Sequence, residues 1–514
     1  MISFILMLII LSTMLIVALK IANPLPSRSV LPDDPRRAPG SGSLRKQVAE
    51  FAEGRDGETA LFMLTDGIDA FAMRLAMVQR AERTIDAQYY IWEDDLSGRM
   101  LLAAIVAAAD LGVRVRLLID DNPTAGLDPM WAGINAHPNI AVRLFNPLVI
   151  RNARPLNYLF DFPRLNRRMH NKSFTIDAAA TVVGGRNVGD AYFGAKDDGL
   201  FIDVDALAIG DVVEVVSSEF EEYWASESAY PAESILATEG ARSLAKLRQP
   251  VYPDQEKATA YRVAASAALT TLQLDDPVDA FVWAPVRLVY DSPTKALGKA
   301  KQESLLAVQI ALLFKSAQRK LDLVSAYFVP GDQGTKLLTD LARRGVKMRI
   351  ATNSIQVTDV PVVHAGYVPY RPVLLAAGAN LYEARPLTDS DGRARSLGQT
   401  RFSGGGESVH AKTFQIDERI FFVGSFNFDP RSALLNCEMG LVIDSSQLAK
   451  GLADVLDRRL SESAYEVTLD GDKRLAWHGE INGQNYIWHK EPGTTAFGRA
   501  TVSFLSKLPI HWML

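Results

Sequence analysis

Two stretches of the sequence repeat one spacing of residues that could do acid–base chemistry. HNKSFTIDAAATVVGGRN begins at His170, and HAKTFQIDERIFFVGSFN begins at His410. Eight of the eighteen aligned positions are identical, which gives the pattern His-x-Lys-x4-Asp-x6-Gly-Gly/Ser-x-Asn twice. One such match would be moderate evidence of a shared function, whereas two matches in one chain indicate a duplicated site.

These residue types suit cleavage of a phosphodiester. Residues two apart on a strand share a face, so each histidine projects with the lysine after it. Two opposed imidazoles can supply a nucleophile and a proton donor in line, because one can be neutral while the other is protonated. Lys172 and Lys412 would stabilise charge on the non-bridging oxygens, and Asn187 and Asn427 add neutral donors. We therefore expect no metal site and no cofactor.

The aspartate of each motif, Asp177 or Asp417, has the opposite parity and faces away from its own histidine. One competing interpretation treats the histidines as buried core residues, and another treats the chain as an inactive homologue. Both fit poorly, because each copy keeps its His, Lys, Asp and Asn.

The segments that must position the motifs alternate between helix and strand. In the first half we predict helices over residues 67–83 and 101–111 and strands over 84–92 and 113–119. The same order returns later, with helices over 304–318 and 337–344 and strands over 320–329 and 346–351. A repeat of this length predicts two α/β lobes.

The motifs and the repeated elements resemble the phospholipase D superfamily across most of residues 60–450. This resemblance implies two pseudo-symmetric α/β/α sandwich lobes with the active site at their interface. It implies the catalytic residues His170, Lys172, Asp177, His410, Lys412 and Asp417. In relatives the N-terminal histidine is usually the nucleophile, which implies a phosphohistidine on His170 and an acid and base role for His410. Asp203 and Glu438 match the acidic residues that orient the opposing histidine, although solvated loop carboxylates are the competing interpretation.

Longer stretches resemble the C-type subgroup of bacterial cardiolipin synthases. They begin at Arg143, Val289, Thr352 and Gly424, and the tail SKLPIHWML is similar too. The resemblance implies transfer of a phosphatidyl group from one phospholipid to phosphatidylglycerol, which yields cardiolipin. Phosphatidylethanolamine is a candidate second substrate. The main cardiolipin synthase type usually has two N-terminal spans, whereas this chain offers at most one.

Three other functions stay open from the sequence. A phospholipase D proper would pass the same intermediate to water, giving phosphatidic acid. A nuclease or phosphodiesterase is disfavoured by the net charge of −5 and the apolar N-terminus, so we expect no nucleic-acid partner. A non-catalytic membrane scaffold is disfavoured by the intact motifs.

The first segment, residues 2–19, is an unbroken apolar run. As a helix it would be roughly 27 Å long, close to the hydrocarbon thickness of a bilayer. A cleaved signal peptide and a buried core helix are the alternatives, and we favour a retained anchor. Basic residues follow the run and none precedes it, which predicts a main body on the cytoplasmic side. The resemblance to bacterial cardiolipin synthases implies that the membrane is the bacterial inner membrane.

Composition divides the chain into six parts. We predict a membrane helix over residues 1–22, a linker over 23–59, a first lobe over 60–240, a connection over 241–300, a second lobe over 301–460 and a C-terminal extension over 461–514. Four aromatic residues of the extension could lie in a core or at a membrane interface, and we favour the core: Trp477, Tyr486, Trp488 and Trp512.

A few further residues could serve the site. Arg167, Arg168 and Arg371 are candidates to meet lipid headgroups, with solvated surface as the alternative. Phe402, Tyr367 and Tyr370 could line the pocket mouth or simply pack. Cys437, the only cysteine, is expected to be a small buried residue.

Overall fold

The computed structural model describes residues 2–26, 42–194, 203–237, 241–248, 252, 255–274, 281–386, 409–481 and 484–508. The chain starts with α1 (Ile2–Ala22) and α2 (Ser43–Phe51). The first lobe contains β1 (Thr59–Leu64), α3 (Gly67–Arg80), β2 (Thr84–Tyr89), α4 (Leu96–Asp110), β3 (Arg114–Asp120), α5 (Asp128–Asn135), β4 (Ile140–Phe145), α6 (Asn157–Leu165), β5 (Ser173–Ile176), β6 (Ala180–Gly184), α7 (Asp190–Phe193), β7 (Asp205–Gly210), α8 (Val212–Ala225) and β8 (Ala229–Pro231). It is followed by α9 (Ala241–Arg248), α10 (Gln255–Thr271) and β9 (Val282–Ala284).

The second lobe repeats this plan. It contains β10 (Val286–Tyr290), α11 (Leu306–Ser316), β11 (Lys320–Ser325), α12 (Gly331–Arg343), β12 (Lys347–Asn353), α13 (Pro361–Tyr367), α14 (Arg371–Ala376), β13 (Asn380–Ala384), β14 (Lys412–Ile416), β15 (Ile420–Gly424), α15 (Pro430–Leu434), β16 (Met439–Asp444) and α16 (Ser446–Ser463). The chain continues as β17 (Ala464–Leu469), β18 (Leu475–Ile481), β19 (Gln484–Trp488) and α17 (Ala496–Leu505).

Each lobe is built on one mixed sheet. The first sheet has the order β8-β4-β3-β2-β5-β6-β7-β1-β9, and the second has the order β10-β16-β15-β14-β11-β12-β13-β17-β18-β19. The block β4-β3-β2-β5-β6-β7 returns as β13-β12-β11-β14-β15-β16. In both blocks the first three strands are parallel and the others antiparallel. The prediction of two pseudo-symmetric α/β lobes is confirmed.

The central strands are buried on both faces. β4 (IAVRLF) and β6 (ATVVG) are buried at every position, which explains their nearly continuous apolar sequence. One core joins the lobes: Val183 and Val216 of the first lobe cluster with Val423 and Leu441 of the second. Because β6 and β7 contact β15 directly, the two sheets face each other. The loops that carry the two motifs therefore meet at the interface.

Three predicted boundaries were wrong. The linker over 23–59 contains α2, whose Leu44 is buried in the first core. The connection over 241–300 contributes β9 to the first sheet and β10 to the second, and its α10 packs on α3. The extension over 461–514 continues the second sheet, since β17 pairs with β13. Composition marks changes of polarity along the chain, whereas strand pairing between distant segments leaves no such mark.

The aromatic residues of this extension differ in their surroundings. Trp477 is buried, as predicted, and its indole donates to Glu383 at 3.0 Å. Tyr486 is exposed and stacks against Trp488. Trp512 lies outside the described residues.

The N-terminal helix stands apart from both cores. Its segment Phe4–Ala22 has 19 residues, a mean hydropathy of 2.7 and none of that stretch buried, so the buried core helix is ruled out. Among the elements of the first lobe that the structure describes, α6 is the one that contacts it most. Its length and composition support membrane association.

Candidate active site

The two histidines stand at matching places in the two lobes. His170 precedes β5 and His410 precedes β14, which are equivalent central strands. The backbone joins the lobes at this point: the amide of His170 donates to the carbonyl of Cys437 at 2.8 Å, and the amide of Cys437 donates to the carbonyl of Arg168 at 2.8 Å. This pairing places residue 438 of the second lobe beside the first motif.

Glu438 is fully buried and meets His170. Its Oε2 lies 2.8 Å from Nδ1 of the imidazole and also accepts the hydroxyl of Ser425 at 2.5 Å. The amide of Glu438 donates to Asp291, which is paired at 2.8 Å with the buried ammonium of Lys295. The carboxylate is therefore fixed both by its own partners and through its backbone.

Asp203 takes the same position toward the other histidine. Its Oδ2 lies 2.5 Å from Nδ1 of His410, and its Oδ1 accepts the amide of Val204. Gly185 occupies the position that Ser425 has in the second lobe. A Cβ there would lie 2.1 Å from Asp203 Oδ1, so glycine leaves the room that this carboxylate needs.

The carboxylates thus cross the interface, and each lobe supplies the acid for the other lobe's histidine. An imidazole whose Nδ1 proton is held by a carboxylate presents the lone pair of Nε2. The contacts implied for Asp203 and Glu438 are both present, and neither residue is a solvated loop carboxylate, since both are almost completely buried.

Both motif lysines are buried within the same site. Lys172 donates to the carbonyl of His170 at 2.6 Å, and Lys412 donates to the carbonyl of His410. Burial lowers the pKa of Lys172 to about 7 and that of Lys412 to about 8. The charge of Lys412 lowers the pKa of Lys172 further, whereas Glu438 and Asp203 oppose the shift of both lysines. An anionic ligand would stabilise both charges.

The histidines respond to burial in the same direction. Desolvation lowers the pKa of His170 to about 4, although Glu438 acts in the opposite direction. Burial and the charge of Lys412 lower the pKa of His410, which the Asp203 carboxylate opposes. A bound phosphodiester anion would raise both pKa values, because it favours the imidazolium form.

The motif asparagines are buried after β6 and β15. Asn187 accepts the amide of Ile91 at 3.1 Å and also hydrogen-bonds Tyr192. Asn427 Oδ1 has no partner among the described residues. Their proposed contact with the substrate phosphate stays a prediction.

The motif aspartates lie away from the histidines and bind the backbone. Asp177 accepts the amides of Glu82, Arg83 and Thr84 at 2.7–2.9 Å, and Asp417 accepts the amides of residues 318–320 at 2.7–2.9 Å. Each aspartate directly follows its strand, β5 or β14, and lies seven residues after its histidine. Seven residues of extended chain span roughly 20 Å. These contacts do not support the catalytic role predicted for Asp177 and Asp417; each aspartate fixes the strand that begins beside it.

The arginines proposed for headgroups have other partners. Arg168 is buried in an ion pair with Asp120, which also accepts the amide of Met169, so it secures the loop before the first motif. Arg371 is buried 2.7 Å from Glu383, outside the site. Arg167 is half-buried, with its guanidinium against Gly298. For Arg168 and Arg371 the prediction was wrong, because sequence does not separate a buried ion pair from a basic surface.

The proposed mouth residues differ as well. Tyr367 is buried against the Arg371 guanidinium, and Tyr370 packs against a small cluster around Val329 and Val363. Phe402 lies outside the described residues. Cys437 is buried, as expected.

Two tyrosines beside the histidines were missed. The ring of Tyr90 lies 5.2 Å from that of His170, and Tyr192 lies 5.2 Å from His410, both edge to face. Tyr90 had no signal from the repeat, because the strand registers place Ala326 at the matching position of the second copy. Tyr192 had none, because Ser432 stands at the matching position.

Comparisons with known proteins agree with this geometry. The family model described as cardiolipin synthase, PLD-like domain, matches residues 75–224 and 310–460. Cardiolipin synthase C of Escherichia coli K12 is 44% identical over 476 residues, covering 92% of this chain and 99% of that protein. An uncharacterised protein of Helicobacter pylori 26695 is 33% identical, covering 94% of both chains. The phosphatidylserine synthase structure from Haemophilus influenzae shares the fold at 13% identity, with a TM-score of 0.54 over 91% of this chain and 99% of that one.

Proposed function

Because the chain belongs to the cardiolipin synthase family with phospholipase D-like domains and is a phosphatidyltransferase, we propose that it makes cardiolipin from two phospholipids. The observation that carries the proposal is the pair of opposed histidines, each held by a carboxylate of the other lobe. The 44% identical relative is a cardiolipin synthase, which supports this product.

The first step forms a covalent intermediate on His170. Its neutral Nε2 attacks the phosphorus of the donor lipid while the bond to the headgroup oxygen breaks. His410, as the imidazolium, gives its proton to that oxygen, and the headgroup alcohol leaves. The low pKa of His170 and the close Asp203 partner of His410 support this division of roles.

The second step reverses the proton transfer. The glycerol hydroxyl of phosphatidylglycerol gives its proton to His410 and attacks phosphorus, and the phosphorus–nitrogen bond to His170 breaks. Lys172 and Lys412 stabilise the charge on the non-bridging oxygens in both steps, with Asn187 and Asn427 as neutral donors. Water in place of the lipid hydroxyl would release phosphatidic acid, which is the hydrolase alternative.

The substrates are phospholipids, with phosphatidylglycerol as acceptor and phosphatidylglycerol or phosphatidylethanolamine as donor. The exposed apolar helix α1 supports anchoring in a membrane, which raises the effective concentration of lipid at the site. Lys20, next to the end of the apolar run, supports a body on the cytoplasmic face of a bacterial inner membrane.

Lipid product analysis tests this function. The purified full chain receives phosphatidylglycerol in mixed micelles, with and without phosphatidylethanolamine, and mass spectrometry identifies the products. We expect cardiolipin that disappears in His170→Ala and persists in His478→Ala, which removes a histidine of β18 outside the site. Phosphatidic acid alone would make the protein a hydrolase, and no lipid turnover would contradict the proposal.

A further inference from the structure

A groove opens in the outer helix layer of the second lobe, between α11, α12 and α15. Its cavity volume is about 380 Å³. The walls are mainly apolar and include Ile310, Val329, Leu337, Phe426, Phe428 and Ala433. This size and lining are typical of a small-molecule site. We call it the α15 groove.

The first lobe has closed the corresponding space. The motifs are 240 positions apart, so Phe193 of α7 corresponds to Ala433 of α15. Phe193 is fully buried, with its ring 5.0 Å from Phe71, which in turn lies 4.5 Å from Tyr261 of α10. Among its described residues, the second lobe has neither the large side chain nor a covering helix such as α10 at this place. The α15 groove therefore exists because of a specific difference between the repeats.

The inner end of the α15 groove adjoins the active site. Phe428 and Asp429, which line it, directly follow the motif residue Asn427. The Asp429 carboxylate is buried, accepts the amide of Ser432 at 2.6 Å and acts electrostatically on Lys412. When the phosphate of a substrate lies between the two histidines, the rest of the substrate can therefore reach into this groove.

The outer end of the α15 groove lies next to the helices that approach α1. Leu434 at its rim is 54% exposed. Arg431 of α15 donates to the side chain and carbonyl of Asn166, at the end of α6. In turn α6 contacts α1 and exposes Leu159 and Phe162. Arg431 therefore links the α15 wall of the groove to α6, the helix that contacts α1.

We propose that the α15 groove binds an acyl chain of a phospholipid substrate. This proposal rests on the proposed function and adds where the apolar part of the substrate lies. Burial of methylene groups stabilises binding in proportion to the area removed from water. The groove thus selects lipids with long chains, whereas the histidines and lysines recognise the phosphate.

Photocrosslinking tests the location without turnover. The His170→Ala chain receives phosphatidylglycerol that carries a diazirine on one acyl chain, in mixed micelles, and peptide mass spectrometry locates the adducts. We expect adducts on α11, α12 and α15. Adducts confined to other elements would overturn the proposal, even if the enzyme makes cardiolipin. Adducts in the groove, together with no lipid turnover by the parent chain, would contradict the proposed function but not the binding of an acyl chain in the groove.

Chain-length selectivity tests the consequence. Ala433→Phe copies the filling residue of the first lobe, and Ser316→Phe adds the same bulk on an exposed position of α11 as the matched control. In Ala433→Phe we expect the ratio of kcat/KM for dioleoyl over dihexanoyl phosphatidylglycerol to fall roughly tenfold, with short-chain turnover retained. Ser316→Phe should keep the parent ratio.

An unchanged ratio in Ala433→Phe, or an equal fall in both variants, would contradict the acyl-chain site. Should Ala433→Phe fail to fold, Ala311→Phe fills the same groove from α11 and gives the same reading.

Discussion

The two copies of the motif differ most in what stands behind each histidine. His170 is held by a glutamate whose oxygen also accepts the hydroxyl of Ser425. His410 is held by a shorter aspartate whose contacting oxygen has no second donor among the described residues, with Gly185 in place of the serine. A carboxylate that shares its charge with a hydroxyl attracts an imidazolium less strongly. The difference therefore favours a neutral His170 and a protonated His410, which are the roles of nucleophile and acid.

The largest expected effect comes from removing each histidine. His170→Ala and His410→Ala should each lower phospholipid turnover by at least about 10⁴-fold. A lipid with p-nitrophenol as its headgroup separates the two roles, because this leaving group needs no proton. A p-nitrophenol burst should return in His410→Ala and stay absent in His170→Ala, measured by absorbance under single-turnover conditions. The opposite result would exchange the roles of the two copies.

Gly185→Ser would impose the second copy's arrangement on the first. The new Cβ would lie 2.1 Å from Asp203 Oδ1, so the carboxylate must move away from His410. We expect kcat/KM to fall about 10²-fold, since misplacing a catalytic group by about 1 Å has effects of that size. Steady-state kinetics measures it, and Gly451→Ser, where no atom lies near a Cβ, is the control. Full activity would show that Asp203 does not position His410.

Ser425→Gly makes the reverse exchange with a smaller effect. Without the hydroxyl donor, the Glu438 carboxylate should attract the imidazolium of His170 more strongly and raise its pKa above about 4. We expect roughly a tenfold loss of kcat/KM and an acidic limb of the pH profile that moves to higher pH. The alkaline limb, where the general acid His410 and then Lys172 and Lys412 lose their protons, should stay in place. An unmoved acidic limb would contradict this account of the two copies.

The smallest effect on activity is expected from changing Glu219, the partner of Asn171. Asn171 stands between the histidine and lysine of the first motif, where the second motif has Ala411. Asn171 donates to Glu219, which is fully buried and also accepts from Gln88. Burial raises the pKa of Glu219 to about 8. The folded state keeps a proton that the unfolded state loses above about pH 4.5, so stability should fall as the pH rises from about 4.5 to 8.

Glu219→Gln removes this titration and keeps the shape. We expect activity within about twofold of the parent, and a free energy of unfolding that no longer decreases across that pH range. Urea unfolding at several pH values measures the slope, with Glu222→Gln on the same helix as control. An identical slope in parent and Glu219→Gln would show that Glu219 is ionised in the folded protein.

Repetition is what made the fold predictable. The helices and strands flanking each motif follow apolar periodicities that appear twice. Most predicted ends lie within about four residues of the observed ones, whereas α4 and α12 begin five and six residues earlier than predicted. The strand predicted over 84–92 ends at Tyr89 in β2, because the following residues leave the sheet beside His170. The second strand likewise stops at Ser325. Where the chain leaves the sheet to build the site, residues that favour strands continue although the hydrogen bonds between strands end. The predicted strands are therefore too long at this point.

The parts that sequence could not supply are contacts between distant segments. Residue parity placed each lysine with its histidine, and it also showed that Asp177 and Asp417 face away. The crossing of Asp203 and Glu438 came only from the family resemblance, because 207 and 268 positions separate these acids from their histidines. The buried ion pair of Arg168 with Asp120 could not be predicted from the sequence for the same reason, because 48 positions separate the two residues.

The crossed carboxylates also set the moment at which the enzyme becomes active during its synthesis. The first histidine is translated long before Glu438, and until that residue leaves the ribosome His170 has no orienting partner. The apolar helix α1, by contrast, precedes both lobes in the chain. A nascent chain that lacks Glu438 therefore already has α1 and the first motif, but not the carboxylate that orients His170. The site forms only when the second lobe is complete enough to place Glu438 beside the first motif.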